Sequence, residues 1–254
     1  MHGRTMTTTL LAVTLVLIAV AGSGRAQPRA QNAADLDIAM RLADLLRAAR
    51  SVISAKQPLI NSLEPADKGL NGERVLAQAL DLYHQRRGER PMAGLADAVD
   101  RSLIVAQMRA IREVVDDNQA VINRADIAFK GFVPAVFARL VNERFSTTMD
   151  RHARLKVTAP RQFVRNRTAL PDAWENEVID TRLDRPDWPS GQAVVERVES
   201  GGRPALRVLV PEYFSPGCLS CHGEPAGSMD ITGYPKEGRR LGDLGSVISI
   251  TLFR

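Results

Sequence analysis

Cysteine, histidine and aromatic side chains are all scarce in this chain. Of 254 residues, two are Cys and four are His, and aromatics make up 5%. Two cysteines exclude a disulfide-rich scaffold. So few rings mean that the core is packed mainly by aliphatic side chains. No long apolar run follows Val20, which excludes a multi-span membrane protein. There is no Gly-rich phosphate loop, no Ser/His/Asp set and no conspicuous carboxylate pair, so neither a hydrolase nor a transferase site is legible. Charge of one sign is lacking too: 34 basic residues face 29 acidic ones.

What is present begins with a leader. Arg4 precedes an apolar run from Leu10 to Val20, and small residues follow at Ala21, Gly22, Ser23 and Gly24. This is the pattern of a secretory signal peptide over residues 1–26, with Gly24-Arg25-Ala26 as the cleavage site. The rival is an uncleaved anchor, but the run is shorter than the roughly 20 residues a spanning helix needs. Removing Arg4 and Arg25 lowers the net charge from +5 to +3, which gives no footing for nucleic acid. The remainder is read as an exported, periplasmic protein with no membrane span after cleavage.

Residues 27–123 read as helical. Gln27–Ala34 is polar and reads as loose, and a helix begins near Asp35. Leu42, Leu45, Leu46, Ala49, Val52 and Ile53 form a stripe at helical period. Pro58 ends or kinks that helix. Asn71 caps a second helix carrying Val75, Leu76, Ala79, Leu80 and Tyr83. A third runs from about Leu95 to Val121, with Leu103, Val105, Met108, Ile111 and Val115 inward. Ala48–Asn61 (AARSVISAKQPLIN) and Ala110–Asn123 (AIREVVDDNQAVIN) echo each other. Arg50 matches Arg112, Gln57 matches Gln119 and Asn61 matches Asn123, so these polar identities favour a duplicated helix motif over two unrelated amphipathic helices.

The period changes after Gly131. Pro134 suits the first turn of a helix over Val133–Phe145. Arg154–Thr158 alternates as a strand, Pro171-Asp-Ala-Trp-Glu175 opens a short helix running to about Leu183, and Ala193–Val198 and Ala205–Val210 form a hairpin across Glu199-Ser-Gly-Gly-Arg203. Ser246–Leu252 is the last strand. The class is α+β, with a helical N-terminal half (27–123) and a strand-rich C-terminal half (124–254).

Both cysteines lie in Cys218-Leu-Ser-Cys221, and His222 follows. This is the C-x-x-C-H haem attachment signature. Two thiols at this spacing reach the two vinyl groups along one edge of a porphyrin, and the adjacent imidazole reaches the iron. A thioredoxin-like dithiol needs a strand-to-helix setting, whereas this is a Pro/Gly-rich loop. Structural zinc needs four ligands. A plain disulfide suits export, but so does covalent haem.

Several ordered motifs accompany that signature. They are Phe129–Leu140, Leu155–Pro160, Arg165-Asn-Arg167 with Pro171-Asp-Ala-Trp-Glu175, Asp230–Gly238 and Gly242–Ile250. Together they resemble a family of exported c-type haem domains with a PAS-like fold, found as stand-alone cytochrome-like proteins and as receptor sensors. The resemblance spans about Leu36 to Leu252. It implies one haem, covalently bound at Cys218 and Cys221, with His222 as an axial ligand, carried by a PAS-like antiparallel sheet domain over 124–254. Some relatives carry a cysteine before the helix that begins like Val133-Pro134, and it can be the second axial ligand. Ile127–Phe132 has no cysteine, so the expectation is an open or weakly held sixth position.

Met229, in a loop beyond Cys221, and His152 are the remaining candidates for that position; Lys130 is remote. Met40 and Met108 lie on core stripes, and His84 reads as surface. Arg165 and Arg167, with Arg161, form either a solvated basic loop or the partners of the haem propionates. Trp174 and Trp188 read as packing. The favoured function is a haem-based sensing or ligand-binding module, with a small diatomic ligand or a redox partner protein. The alternative is a monohaem electron carrier. A haem enzyme ranks last, because only His152 is eligible as a distal acid–base group, and the reading is non-enzymatic.

Overall fold

The computed structural model describes residues 26–254, with side chains from residue 32 onward. The expected leader, apart from Ala26, lies outside the described residues.

The helical half contains α1 (Ala26–Ala55), α2 (Gln57–Asn61), α3 (Gly72–Arg87), α4 (Ala98–Asp117) and α5 (Gln119–Ile122). α1 starts nine residues earlier than the polar composition of 27–34 implies. The alanines of AQPRAQNAA are strong helix formers, and Pro28 lies in the first turn, where its missing N–H is tolerated. The stripe from Leu42 to Ile53 is buried as expected. The helix breaks at Lys56, and Pro58 opens the first turn of α2. Asn71 caps α3, its side chain accepting from the Arg74 amide at 2.9 Å. Val105 is a correction: it is 49% exposed, because the buried stripe of α4 runs through Leu103, Ile104, Gln107, Ala110, Ile111, Val114 and Val115, and Val105 falls between its rows.

The echo between the two helical segments is a reciprocal clasp. Gln57 Nε2 donates to the carbonyl of Phe132 at 3.0 Å, and Gln119 Nε2 donates to that of Leu70 at 2.9 Å. Asn61 Oδ1 accepts the Lys130 amide at 3.2 Å, and Asn123 Oδ1 accepts the Lys68 amide at 3.0 Å. Asn61 Nδ2 reaches Gln57 Oε1 at 3.3 Å, and Asn123 Nδ2 reaches Gln119 Oε1 at 3.1 Å. Each unit therefore holds the loop of the other. Every pair is offset by 62 residues, so the repeat extends from the noted helices into Lys68-Gly69 and Lys130-Gly131, where both glycines have positive φ. The lysine ammoniums end the parallel: Lys68 Nζ donates to the carbonyls of Leu63 and Pro65, and Lys130 Nζ to that of Ser62 at 2.7 Å. Burial and the nearby Lys68 charge push the Lys130 ammonium below its ordinary pKa.

α6 (Pro134–Thr148) follows, then a four-stranded antiparallel sheet in the order β1-β4-β3-β2: β1 (Ala153–Thr158), β2 (Val194–Ser200), β3 (Arg203–Tyr213) and β4 (Leu244–Phe253). Gly201 and Gly202, with φ of 59° and 73°, make the two-residue turn between β2 and β3 that φ > 0 at both positions requires. β4 is central and covered on both sides. With period two, Ile248, Ile250 and Leu252 face the helices together with Leu206, Val208 and Val210. Val247 faces the other way, and the register shift opposite Glu212 and Tyr213 turns Leu244 to the same side, where both join Leu209 and Val194 beneath α7 (Ala173–Val178) and the π-helical turn Ile179–Leu183. A capping box between Asp172 and Glu175 starts α7. Trp174 and Trp188 pack at the edge of that second cluster, as expected.

The larger cluster runs without interruption from Ile38 of α1 through Phe137 and Val141 of α6 to Ile250 of β4. The expected boundary at residue 123 therefore crosses a shared core rather than separating two. Glu212, at the end of β3, adds a polar tie: Arg50 of α1 donates to it, Arg47 lies 3.4 Å away, and Ser246 donates at 2.9 Å. Burial pushes the Glu212 carboxyl pKa up, but the charges of Arg50 and Arg47 outweigh burial and hold it below the ordinary value. Among the described residues, no helix is long and apolar enough to cross a membrane.

Candidate functional site

The chain leaves the sheet after β3. Phe214 pairs with the residues just before β4, its amide donating to Asp243 O at 2.9 Å, and Gly242 donates back to Phe214 O at 3.1 Å. The segment from 215 to 241 is thus a loop closed at its base by β3 and β4. Within it, a 3-10 turn (Pro216–Cys218) leads into a single turn of helix, α8 (Leu219–His222).

Cys218 and Cys221 are three residues apart in helical backbone, which places their Cβ atoms on one face at about 5–6 Å. Both are free thiols, partly exposed. Ser215 Oγ lies 3.2 Å from Cys218 Sγ. The His222 ring packs against Phe214, centroids 5.1 Å apart. Its Nδ1 lies 2.8 Å from Glu237 Oε2, and its carbonyl accepts the Arg239 amide at 2.7 Å.

The far side of the loop is held as firmly. Arg165 donates from Nε to Glu237 Oε1 at 2.9 Å, from Nη1 to Asp230 Oδ2 at 2.6 Å and from Nη2 to Cys221 O at 3.0 Å. Asp230 is fully buried at its side chain. It also accepts from Thr232 N at 2.7 Å, Thr232 Oγ1 at 2.6 Å and Tyr234 N at 3.1 Å. Burial works to raise the Asp230 carboxyl pKa, but these donors overcome it and hold the group far below the ordinary carboxylate range. For Glu237 burial again opposes ionisation, and the hydrogen bonds from Arg165 and His222 prevail, so its pKa is also lowered.

The structure thus brings Cys218, Cys221, His222 and Arg165 together. It does not bring every expected residue with them. Arg165 is engaged by two carboxylates and a backbone carbonyl, so its fork braces the loop behind His222. Arg167 stands exposed in the 3-10 turn Arg167–Ala169. Met229 is in the loop and 63% exposed. His152 is exposed and its carbonyl accepts the Phe253 amide, so it sits at the end of β4 opposite to Leu244 and the loop. Over the ten residues of β4 that separation is about 30 Å, at roughly 3.3 Å per residue. Glu237 and Asp230 escaped the reading of the sequence. Their signal was the density of turn residues in Asp230–Gly238, but their pairing with Arg165 spans 65 to 72 residues and is not encoded locally.

Chemically, the donor set suits a covalent haem. Two thiols share one face of a short turn, and an imidazole with Nδ1 already engaged leaves Nε2 for a metal. Met229, Ile231, Tyr234 and Leu241 expose large apolar surface in the same loop, which an apolar macrocycle can cover. Among the described residues, no group of three or more His, Cys, Asp or Glu side chains could hold a metal ion directly.

A family model described as Tll0287-like matches residues 95–252, more than half of the chain. The match takes in α4, the second unit of the clasp, the sheet and the loop, and leaves the first unit outside it. No curated protein and no solved structure matches the chain.

Proposed function

The chain belongs to the Tll0287-like family, and on that footing we propose that it is an exported, periplasmic monohaem c protein of PAS-like type that senses or binds a small ligand. Cys218 and Cys221 would hold one haem through thioether bonds, and His222 would be its axial ligand through Nε2. When bound, the haem supplies an iron centre for diatomic ligand binding or one-electron exchange. The chain's own residues orient the imidazole, exclude water on the Phe214 side and brace the loop. The role is binding rather than catalysis.

The observation that carries this reading is the partly exposed Cys218-x-x-Cys221-His222 turn whose imidazole already has its Nδ1 on a carboxylate. Sensing is favoured over electron transfer because His152 lies at the opposite end of the sheet and Ile127–Phe132 offers no thiolate, which removes two of the groups that could close the sixth position. The specific observation on the side of a carrier is Met229, a thioether on the same loop.

Intact mass after denaturation tests the haem. Protein made in a host with haem c maturation should exceed its polypeptide mass by one haem, and bare polypeptide mass would refute the reading. Cys218→Ala with Cys221→Ala should abolish attachment. Carbon monoxide then separates the two roles. Reduced protein should bind it readily; a sharp low-spin ferrous spectrum indifferent to carbon monoxide, lost in Met229→Ala, would make the protein a carrier.

A further inference from the structure

We propose that Glu237 is the positioning residue of the axial histidine and sets the redox poise of the iron, with Arg165 tempering its charge. The inference rests on the haem c reading above and goes beyond it by assigning regulation of that site to two residues outside the attachment motif.

The argument is geometric. Which nitrogen an imidazole presents to a metal is set by the hydrogen bond that the other one makes, and the partner in that bond fixes the ring plane and the tautomer. Here that group is a carboxylate, with Glu237 Oε2 at 2.8 Å from His222 Nδ1. A carboxylate accepts the Nδ1 proton more strongly than a neutral carbonyl does, because the hydrogen bond is charge-assisted. The more the proton leans toward Glu237, the more basic Nε2 becomes. A more basic ligand favours ferric over ferrous iron.

Glu237 is itself held. Its other oxygen takes Arg165 Nε at 2.9 Å, and the same guanidinium is anchored on Asp230 at 2.6 Å and on the carbonyl of Cys221 at 3.0 Å. The chain Cys221–Arg165–Glu237–His222 therefore returns to the attachment turn where it began, with Asp230 anchoring Arg165 from the side, and the Glu237 side chain is 15% exposed. Arg165 draws charge away from the carboxylate. The two residues thus act on His222 with opposite sign: Glu237 lowers the reduction potential and Arg165 limits how far.

The test is the midpoint potential of the haem-loaded full chain, with haem content checked in each variant by its pyridine haemochrome spectrum. Glu237→Gln keeps the shape of the side chain and a hydrogen-bond acceptor but removes the charge. It should shift the ferric/ferrous equilibrium toward ferrous iron by on the order of tenfold, the usual weight of an outer partner, which for one electron is about 59 mV upward. Arg165→Gln should shift the potential downward. A Glu237→Gln protein that carries haem and titrates with the wild type overturns the proposal, as does an Arg165→Gln shift in the same direction as Glu237→Gln. If the Gln variant accumulates without haem, Glu237→Asp serves, since it keeps the charge but shortens the reach. An upward shift there supports the proposal and a wild-type potential overturns it. A wild-type chain that takes up no haem at all refutes the haem reading instead.

Discussion

In the helical clasp, Asn61 and Asn123 receive backbone amides from across the bundle, and in the 215–241 loop Asp230 and Glu237 perform the corresponding work of holding a segment in place. The clasp uses neutral carboxamides, and its partners lie inside the chain on both sides. The loop uses carboxylates and a guanidinium, and the groups it holds, two thiols and an imidazole, remain partly exposed. The clasp closes on itself, whereas the loop leaves the groups that it holds partly open to solvent.

The largest expected effect concerns the frame. A chain beginning at Arg124 removes α1 through α5 and uncovers Phe137, Val141, Ile248, Ile250 and Leu252, all fully buried. It should show no cooperative melting transition by circular dichroism. A sharp transition would show that the strand-rich half is self-sufficient and that the shared core is dispensable.

Next comes the tie between the two regions. Glu212→Gln removes the charge facing Arg47 and Arg50, and because both arginines are partly exposed the loss should be about 2 kcal/mol, below that of a fully buried pair. The lowered carboxyl pKa makes the effect pH-dependent. The folded state binds the proton less well than the unfolded one, so the stabilisation is present above the ordinary value of 4.5 and disappears as pH falls below it. Urea midpoints of the two proteins should differ at pH 7 and converge on acidification; a gap unchanged at pH 3 would assign the effect to packing.

The clasp itself gives a smaller and symmetric effect. Asn61→Ala and Asn123→Ala each strip an acceptor from a backbone amide and a donor from the neighbouring Gln, about 1 kcal/mol apiece. Their urea midpoints should fall together, and a large loss from only one would mean that the two units are not equivalent. Smallest is Glu143→Ala on the exposed face of α6, which breaks an i,i+4 pair with Arg139. It should move the midpoint by less than about 0.5 kcal/mol equivalent.

Period alone was enough for much of the fold. The α1 stripe, the Asn71 cap, the Gly201-Gly202 hairpin and the last strand follow from local spacing and turn chemistry, and they stand where they were expected. The echo between Ala48–Asn61 and Ala110–Asn123 was legible, but its meaning was not. A carboxamide matched by another carboxamide says nothing of its partner, and only the folded chain shows that each unit holds the other's Lys-Gly loop. Val105 misled because a helix of 20 residues has more than one apolar row, and tertiary contact selects which is buried.

By itself, then, the sequence determined the α+β class, the Cys218-x-x-Cys221-His222 motif and the repeat, because thiol spacing, hydrophobic period and sequence identity are all local properties. Tertiary structure decided what surrounds them. It carried His152 to the opposite end of β4, placed Glu237 on the imidazole, turned Arg165 toward two carboxylates and drew both halves into one core. The physical reason is the same in each case. A side-chain hydrogen bond acts over about 3 Å in space and carries no mark of the 65 or 72 residues of chain between its partners.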